Sequence, residues 1–191
     1  DAAFRGAYLV RANLSRQKLE GRDCGACSLA GADFREARLA RAGLVEADAT
    51  GARFDAADLT GADLREADLS ECSFEGAVVA GARLQGTEVS GCRWARVDLS
   101  GAQLEEVNLT NADLTTANLR GIRMERCTLS ECRLGRASLA GCVLTASRFV
   151  RASMEESDLS GAEIAECDFE GARLERARFD GSRGATPRFH A

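Results

Sequence analysis

The sequence predicts an all-β solenoid, a chain that winds short β-segments into stacked turns. Every fifth residue from Phe4 to Phe179 is large and apolar, since 34 of these 36 positions hold Leu, Phe, Met, Ile, Val or Trp. The residue two positions earlier is small, with 21 alanines and seven cysteines among the 36. No insertion shifts this frame. A period of five matches neither the helix nor the strand, so each unit must bury its apolar side against the next turn.

Each five-residue unit contains two inward positions and a corner. We call the position of Phe34 and its equivalents the large slot, and the position of Ala32 and its equivalents the small slot. A small side chain fits where the backbone turns in tightly, and a large one fills the interior. Glycines in runs such as DLTGADLREADLS predict corners that need positive φ, which glycine adopts without steric cost.

Units such as Ala62-Asp63-Leu64-Arg65-Glu66 and Ala112-Asp113-Leu114-Thr115-Thr116 carry an A-(D/N)-L-x-x pattern. In this pattern the chain resembles the pentapeptide-repeat family. The resemblance implies a right-handed quadrilateral parallel β-helix over 1–181, with four units and twenty residues per coil and about nine coils. At about 4.8 Å between stacked strands, the rod would be about 45 Å long. Residues 182–191 would form an irregular cap or tail.

Three places depart from the repeat. Gln17 and Arg22 stand in small slots and Cys24 in a large slot, which predicts a local bulge or bend over 17–24 with Arg22 turned outward, since burying an unpaired charge is costly. Ala49 in a large slot predicts a thin core. Near the C-terminus, Gly184 would occupy a large slot and Pro187 a small one, so the frame is expected to end after Phe179.

Composition excludes several classes of function. The net charge is −5 with 29% charged residues, so the chain lacks the basic footprint of a protein that binds nucleic acid directly. No run of about 18 apolar residues could cross a membrane. No signal peptide is visible, and a cytoplasmic location is expected. Because the first residue is Asp1 rather than Met, a fragment of a secreted effector or adaptor is the alternative.

No catalytic or cofactor-binding set emerges, so we expect no enzyme activity and no cofactor. The single histidine, His190, lies at the end of the chain. Cys24 and Cys27 form a C-x-x-C spacing, but no second pair or nearby histidine completes a zinc site. Seven of the eight cysteines occupy small slots, where Cys acts as a small buried hydrophobe. Cys72 and Cys92 would be vertical neighbours, yet their parallel Cβ vectors suit a bridge poorly, and free thiols are predicted.

One face of the expected rod has outward side chains that are unusually small and uncharged. Every corner residue of this face except Arg41 is glycine. These glycines are Gly21, Gly61, Gly81, Gly101, Gly121, Gly141, Gly161 and Gly181. Two interpretations stay open: glycine suits one kind of turn, or the face docks a partner or a second copy. A homodimer through this face or through a terminal coil is therefore one hypothesis.

Acidic residues concentrate in two belts along the chain. Residues 44–76 and 154–170 each have a net charge of −7, and the three remaining stretches are each +3. The residues we select as candidate partner-binding positions are Glu46, Asp48, Asp63, Glu66, Asp68, Glu71, Glu155, Glu156, Asp158, Glu163, Glu166, Asp168 and Glu170. Ordinary solvated surface is the alternative interpretation.

Two functions fit these features. The first is a non-catalytic interaction module, a rigid rod that presents its faces to a protein partner as part of a larger bacterial protein. The second follows from the resemblance: members of the family mimic DNA, bind DNA gyrase or another type II topoisomerase, and confer quinolone or toxin resistance. B-DNA carries about one charge per 1.7 Å, far more than this chain, so the sequence favours the module.

Overall fold

The computed structural model describes residues 4–184, which form a parallel β-helix. Each bridge joins residues twenty apart, from Tyr8 with Ser28 to Glu163 with Arg183. Four bridges occur in each stretch of twenty residues, so each turn has four sides. The predicted stacking of residues twenty apart is therefore confirmed.

Each turn crosses four faces, which we name A to D in chain order. Their large-slot residues define them: Leu44, Leu64, Leu84 and Leu104 for face A; Leu29, Leu69, Val89 and Leu109 for face B; Phe34, Phe54, Phe74 and Trp94 for face C; Leu39, Leu59, Val79 and Leu99 for face D. All of these side chains are buried. The single core of the described residues therefore runs along the axis.

Within residues 4–184, continuous strands form only on face A. Strands β1 (Gln103–Glu105), β2 (Arg123–Glu125), β3 (Val143–Thr145) and β4 (Glu163–Ala165) pair in parallel in that order. The register joins Leu104 to Met124 and Leu144 to Ile164. The other contacts between turns are single bridges, and residues 4–184 contain no helix.

The corners need positive φ in every unit, not only where glycine stands. The residue two places after each large slot has φ between 49° and 71° from Gly6 to Gly181, and 21 of these residues are not glycine. A left-handed conformation costs an ordinary residue roughly 1–2 kcal/mol. Stacking of the turns therefore overrides local preference at positions such as Glu46 and Arg136.

Aromatic rings stack along the interior of face C. Phe34, Phe54 and Phe74 follow one another with ring centroids 4.9 Å apart, and Trp94 lies 4.0 Å above Phe74. The rings are within 6° of parallel. The expected inward direction of this column is confirmed, and it makes the aromatic run part of the core.

The predicted bulge over 17–24 is wrong. Lys18 pairs with Arg38 and Asp23 with Gly43, so the twenty-residue register passes through this stretch unbroken. Gln17 is exposed and Arg22 is half-buried. The first turn covers its interior incompletely, since Leu9 and Leu14 are also only partly buried. Polar side chains in these small slots therefore need no bulge to reach solvent.

The repeat continues slightly beyond its expected C-terminal limit. Arg183 pairs with Glu163, and the Arg183 amide donates to the Ala162 carbonyl at 2.9 Å. Gly184 approaches the Ile164 backbone so closely that no side chain fits there. Residues 185–191, which include Pro187 and His190, lie outside the described residues.

Two serines in small slots should respond in opposite ways to replacement by alanine. The Ser157 hydroxyl is buried without a hydrogen-bond partner among the described residues, whereas Ser147 Oγ accepts from the Cys127 amide at 3.2 Å. We expect Ser157→Ala to stabilise the protein by about 1 kcal/mol and Ser147→Ala to destabilise it by roughly 1–3 kcal/mol. Guanidinium unfolding followed by circular dichroism measures both. Equal effects of the two substitutions would contradict this assignment.

Candidate interaction surfaces

The structure brings most of the first acidic belt onto face B. Glu46, Asp48, Glu66, Asp68 and Glu71 all lie on this face or its corners, and all are exposed. In five successive turns, the residues that form face B and its corners include no Lys or Arg. These residues are 26–31, 46–51, 66–71, 86–91 and 106–111. We call this part of face B, from 26 to 111, the acidic face. Charge therefore differs between faces as well as along the axis.

A column of three carboxylates forms the centre of the acidic face. Asp48 bridges Asp68, and Asp68 bridges Glu88, so these side chains follow one another at about 4.8 Å. Asp48 Oδ1 accepts from the Thr50 amide at 3.2 Å, and Asp68 Oδ1 accepts from the Ser70 amide at 3.0 Å. Such local bonds fix each aspartate facing outward, and repulsion along the column favours a cationic partner.

Four glutamates flank this column at the corners. Glu46, Glu66 and Glu106 stand at the corner before the face, and Glu71 stands at the corner after it. Glu106 ion-pairs with Arg126 at 3.0 Å, and Arg126 also contacts Glu105 and Glu125. Arg126 is thus where the acidic face ends along the axis.

Asp63 does not join the acidic face. It lies on face A, where Arg65 approaches to 2.7 Å and Arg83 to 3.5 Å. The hydrogen bond from Arg65 lowers the pKa of the Asp63 carboxyl, and partial burial opposes that shift. Two guanidinium groups therefore neutralise this candidate.

The second acidic belt is dispersed around the rod and largely paired. Its ion pairs with arginines of neighbouring turns are Glu155–Arg173, Glu156–Arg136, Glu156–Arg176, Asp158–Arg178 and Glu163–Arg183. The remaining three candidates, Glu166, Asp168 and Glu170, lie on face B, and Asp168 stacks on Arg148. This belt runs around the four faces of the rod, and arginines pair with four of its seven carboxylates; its role in partner binding stays a prediction.

Glu88 and Glu106 were missed as candidates. Both lie outside the stretch 44–76, yet the structure places them on the acidic face. Grouping the sequence in rows of twenty, rather than counting charge along the chain, would have aligned Glu88 with Asp48 and Asp68. The signal was present in the sequence.

Face D carries the glycine corners, as expected, and its outward residues are mainly small. Val78 is its one exposed large apolar side chain within 4–184. Docking of a second copy on this face stays a prediction.

The eight cysteines are free and buried, as predicted, but they do more than fill space. Thiols in small slots donate to the carbonyl 23 residues earlier, as Cys72 does to Ala49 at 3.0 Å and Cys132 does to Leu109 at 2.6 Å. Burial raises the pKa of Cys132 to about 12. Within residues 4–184 no cluster of His, Cys, Asp or Glu could hold a metal ion, and none of these residues forms a helix able to span a membrane.

Comparisons with known proteins agree with this architecture. The family description "pentapeptide repeat region" matches residues 102–179, and "pentapeptide repeats (8 copies)" matches residues 23–55, 57–93 and 82–121. No curated protein sequence matches the chain.

Solved structures of pentapeptide repeat proteins are similar to the chain. A trypsin-treated form of QnrB1, a plasmid-mediated fluoroquinolone resistance protein, has a TM-score of 0.55 and 21% identity over 93% of this chain and 89% of that one. HetL from the cyanobacterium Nostoc, involved in regulating heterocyst differentiation, has a TM-score of 0.40 and 29% identity over 92% and 84%. A protein of the Arabidopsis thaliana thylakoid lumen has a TM-score of 0.39 and 31% identity over 61% and 70%. The QnrB1 likeness supports the fold alone.

Proposed function

The chain belongs to the pentapeptide-repeat family, and from this premise we propose that it is a non-catalytic interaction module whose acidic face docks on a basic surface of a protein partner. The observation that carries the proposal is the column of Asp48, Asp68 and Glu88 on a face with no base between residues 26 and 111. Surface carboxylates are ordinarily interspersed with arginines, as on the other three faces of this rod.

Rigidity supports a docking role. The backbone of each turn hydrogen-bonds to the turns before and after it: the Asp68 amide donates to the Ala47 carbonyl of the turn before, and the Leu69 amide donates to the Glu88 carbonyl of the turn after. A surface fixed in this way loses little conformational entropy when a partner binds, which leaves more of the interaction energy for affinity. Charge complementarity would mainly accelerate association and select the partner.

Neutralising the acidic face should remove binding of a cationic ligand. We expect the triple variant Asp48→Asn, Asp68→Asn, Glu88→Gln to bind a peptide of alternating Lys and Gly about tenfold more weakly than the unchanged chain, equivalent to about 1.4 kcal/mol. Asn and Gln keep an acceptor oxygen, so the turns that the aspartates support remain. Calorimetric titration at about 50 mM and about 300 mM salt measures the affinity and its screening.

The matched control changes net charge equally on face D. The variant Asp58→Asn, Asp98→Asn, Asp158→Asn alters three outward aspartates whose Oδ1 atoms also accept from the second following residue, at Thr60, Ser100 and Ser160. It should retain binding within about threefold. Equal losses in the two variants would mean that net charge, not the acidic face, attracts the peptide.

A second candidate function is mimicry of DNA toward DNA gyrase or another type II topoisomerase. The regular carboxylate spacing on the acidic face favours it. In a gyrase supercoiling assay, with and without a quinolone, the mimic would inhibit or protect the enzyme, and the acidic-face variant would not. No effect of the unchanged chain at micromolar concentration would exclude this function and leave the interaction module standing.

A further inference from the structure

Face D keeps glycine at its corners although the fold does not require it. Eight of its nine corner residues between 21 and 181 are glycine, against seven of the 27 corner residues on the other three faces. Twenty residues with side chains adopt the same positive φ on those three faces, so the turn itself accepts a side chain. A Cβ at Gly81, Gly101 or Gly141 would meet nothing within 4 Å. Neither φ nor crowding within the chain therefore explains the glycine column.

The glycine column borders a flat surface at the middle of face D. The outward side chains between 58 and 101 are short, and those next to the corners are only Thr60, Ala80 and Ser100. Val78, whose side chain is 38% exposed, lies at the centre of this surface. Because no long side chain stands in the way, a second flat surface can approach closely enough to cover Val78.

Two ion pairs at the corner before face D flank this surface, and both run in the same direction along the rod. Near one end, Arg16 Nη2 lies 3.0 Å from Glu36 Oε1 of the next turn. Near the other end, Arg136 Nε lies 3.0 Å from Glu156 Oε2 of the next turn. Since each pair runs from arginine to glutamate, a rod that points the opposite way presents glutamate where this one presents arginine.

Face D itself carries opposite charges at the two ends of one column. The Lys18 side chain is exposed and forms no ion pair with the described residues. Asp158 stands seven turns further along the same column, and its nearest guanidinium nitrogen, on Arg178, is 4.0 Å away. A free ammonium group and a weakly paired carboxylate are therefore available to a second rod.

We propose that face D binds face D of a second copy, with the two rods antiparallel. A two-fold axis across the rods, between the turns of Val78 and Asp98, sets each column opposite the same column of the partner and reverses the order of the turns. Eight turns then face each other over about 38 Å. The opposite-charge contacts, each made twice, are Arg16 with the partner's Glu156, Glu36 with the partner's Arg136, and Lys18 with the partner's Asp158.

Charge also fixes the register of the two copies. In the proposed register, no two like charges lie opposite each other along face D and its corners. A shift of one turn in one direction places Arg16 opposite the partner's Arg176, and a shift in the other direction places it opposite the partner's Arg136. Like charges set against each other at an interface are costly. The charge pattern therefore favours this register over its neighbours.

The dimer leaves both acidic faces free. Face D lies opposite face B in each turn, so the two acidic faces point away from each other. A protein target with two basic surfaces would engage both, and its avidity would exceed the affinity of either contact. The dimer depends on face D alone, so it stands or falls separately from the proposed function.

Exchanging the charges of one contact tests the dimer. We expect the full chain to sediment as a dimer at about 100 μM protein and about 50 mM salt. Lys18→Asp or Asp158→Lys should weaken dimerisation at least about tenfold, because each substitution sets like charges opposite each other twice. The double variant restores both contacts with the signs exchanged and should recover the dimer. Arg93→Asp, an equal charge change at an exposed position of face C, should leave the dimer unchanged.

Cross-linking tests the register without depending on the charge exchange. A chain carrying Lys18→Cys is mixed with a chain carrying Asp158→Cys and treated with a short bismaleimide, while the native thiols stay buried. Within one chain these positions are about 34 Å apart, so only two different copies can be joined, and a covalent dimer is expected. Lys18→Cys mixed with Asp98→Cys should give none.

Three results would each overturn the proposal. They are a monomer at the same protein concentration, a double charge-exchange variant that folds by circular dichroism but does not recover the dimer, and a dimer that forms without the cross-link between positions 18 and 158. Binding of the peptide of Lys and Gly to the acidic face is measured separately, so a failed dimer would leave the proposed function standing.

Discussion

Raising the pH from 9 to 10 is expected to remove about 3 kcal/mol of unfolding free energy through three buried thiols alone. Burial raises the pKa of Cys127 to about 11 and the pKa values of Cys132 and Cys142 to about 12, whereas an unfolded thiol titrates near pH 8.5. A raised pKa in the folded state gives stability that is complete below about pH 8.5 and is lost as the pH rises through 11–12. The limiting loss is about 1.4 kcal/mol per pH unit for each thiol, and it is about 1 kcal/mol between pH 9 and 10 because the unfolded thiol is already partly ionised at pH 9.

Guanidinium titrations at pH 7, 9 and 10 under reducing conditions measure this loss. The Cys132→Ala variant should be less stable at pH 7 but should lose about 1 kcal/mol less free energy between pH 9 and 10 than the unchanged chain. An unfolding free energy that stays constant between pH 9 and 10 would show that the thiols are not buried as described.

Trp94→Ala is expected to cost about 3–5 kcal/mol of unfolding free energy. Trp94 is fully buried and continues the ring column 4.0 Å from Phe74, so alanine would leave a cavity inside four stacked turns. Trp94→Phe extends the phenylalanine column and removes the indole Nε1, which has no acceptor among the described residues. We expect that variant to remain within about 1 kcal/mol of the unchanged protein.

Far-UV circular dichroism follows both unfolding reactions, since neither variant keeps the tryptophan. Phenylalanine keeps an aromatic ring in the column, whereas alanine removes it. A loss of unfolding free energy for Trp94→Phe as large as that for Trp94→Ala would therefore contradict the stacked column.

The repeat allowed the architecture to be predicted well. The large-slot positions from Phe34 to Phe169 are buried as expected, and the interval of twenty residues holds through Arg183. The reason is physical: a five-residue unit has one way to bury both inward positions, and an unbroken frame repeats that solution. Even Arg22, expected to force a bulge, does not interrupt it.

Local departures were harder to predict because they depend on contacts between turns. The positive φ of Glu46 contradicts its intrinsic preference. The Cys127 amide donates to Ser147 Oγ, twenty residues later, and not to the carbonyl three residues earlier, a contact that is visible only once the turns are stacked. The acidic belts were defined along the chain, but Asp63 is neutralised by Arg83, twenty residues away. Faces, and not stretches of sequence, determine the surface charge.

The stacking of Asp48 on Asp68 supports both the fold and the acidic face, and pyrene labelling tests it directly. The double variant Asp48→Cys, Asp68→Cys, labelled with pyrene maleimide while the native thiols stay buried, should show strong excimer emission because the two labels stand about 4.8 Å apart. The variant Asp48→Cys, Asp58→Cys, with labels on opposite faces, should show monomer emission only. Excimer emission from the second pair and none from the first would contradict the twenty-residue turn and the acidic face with it.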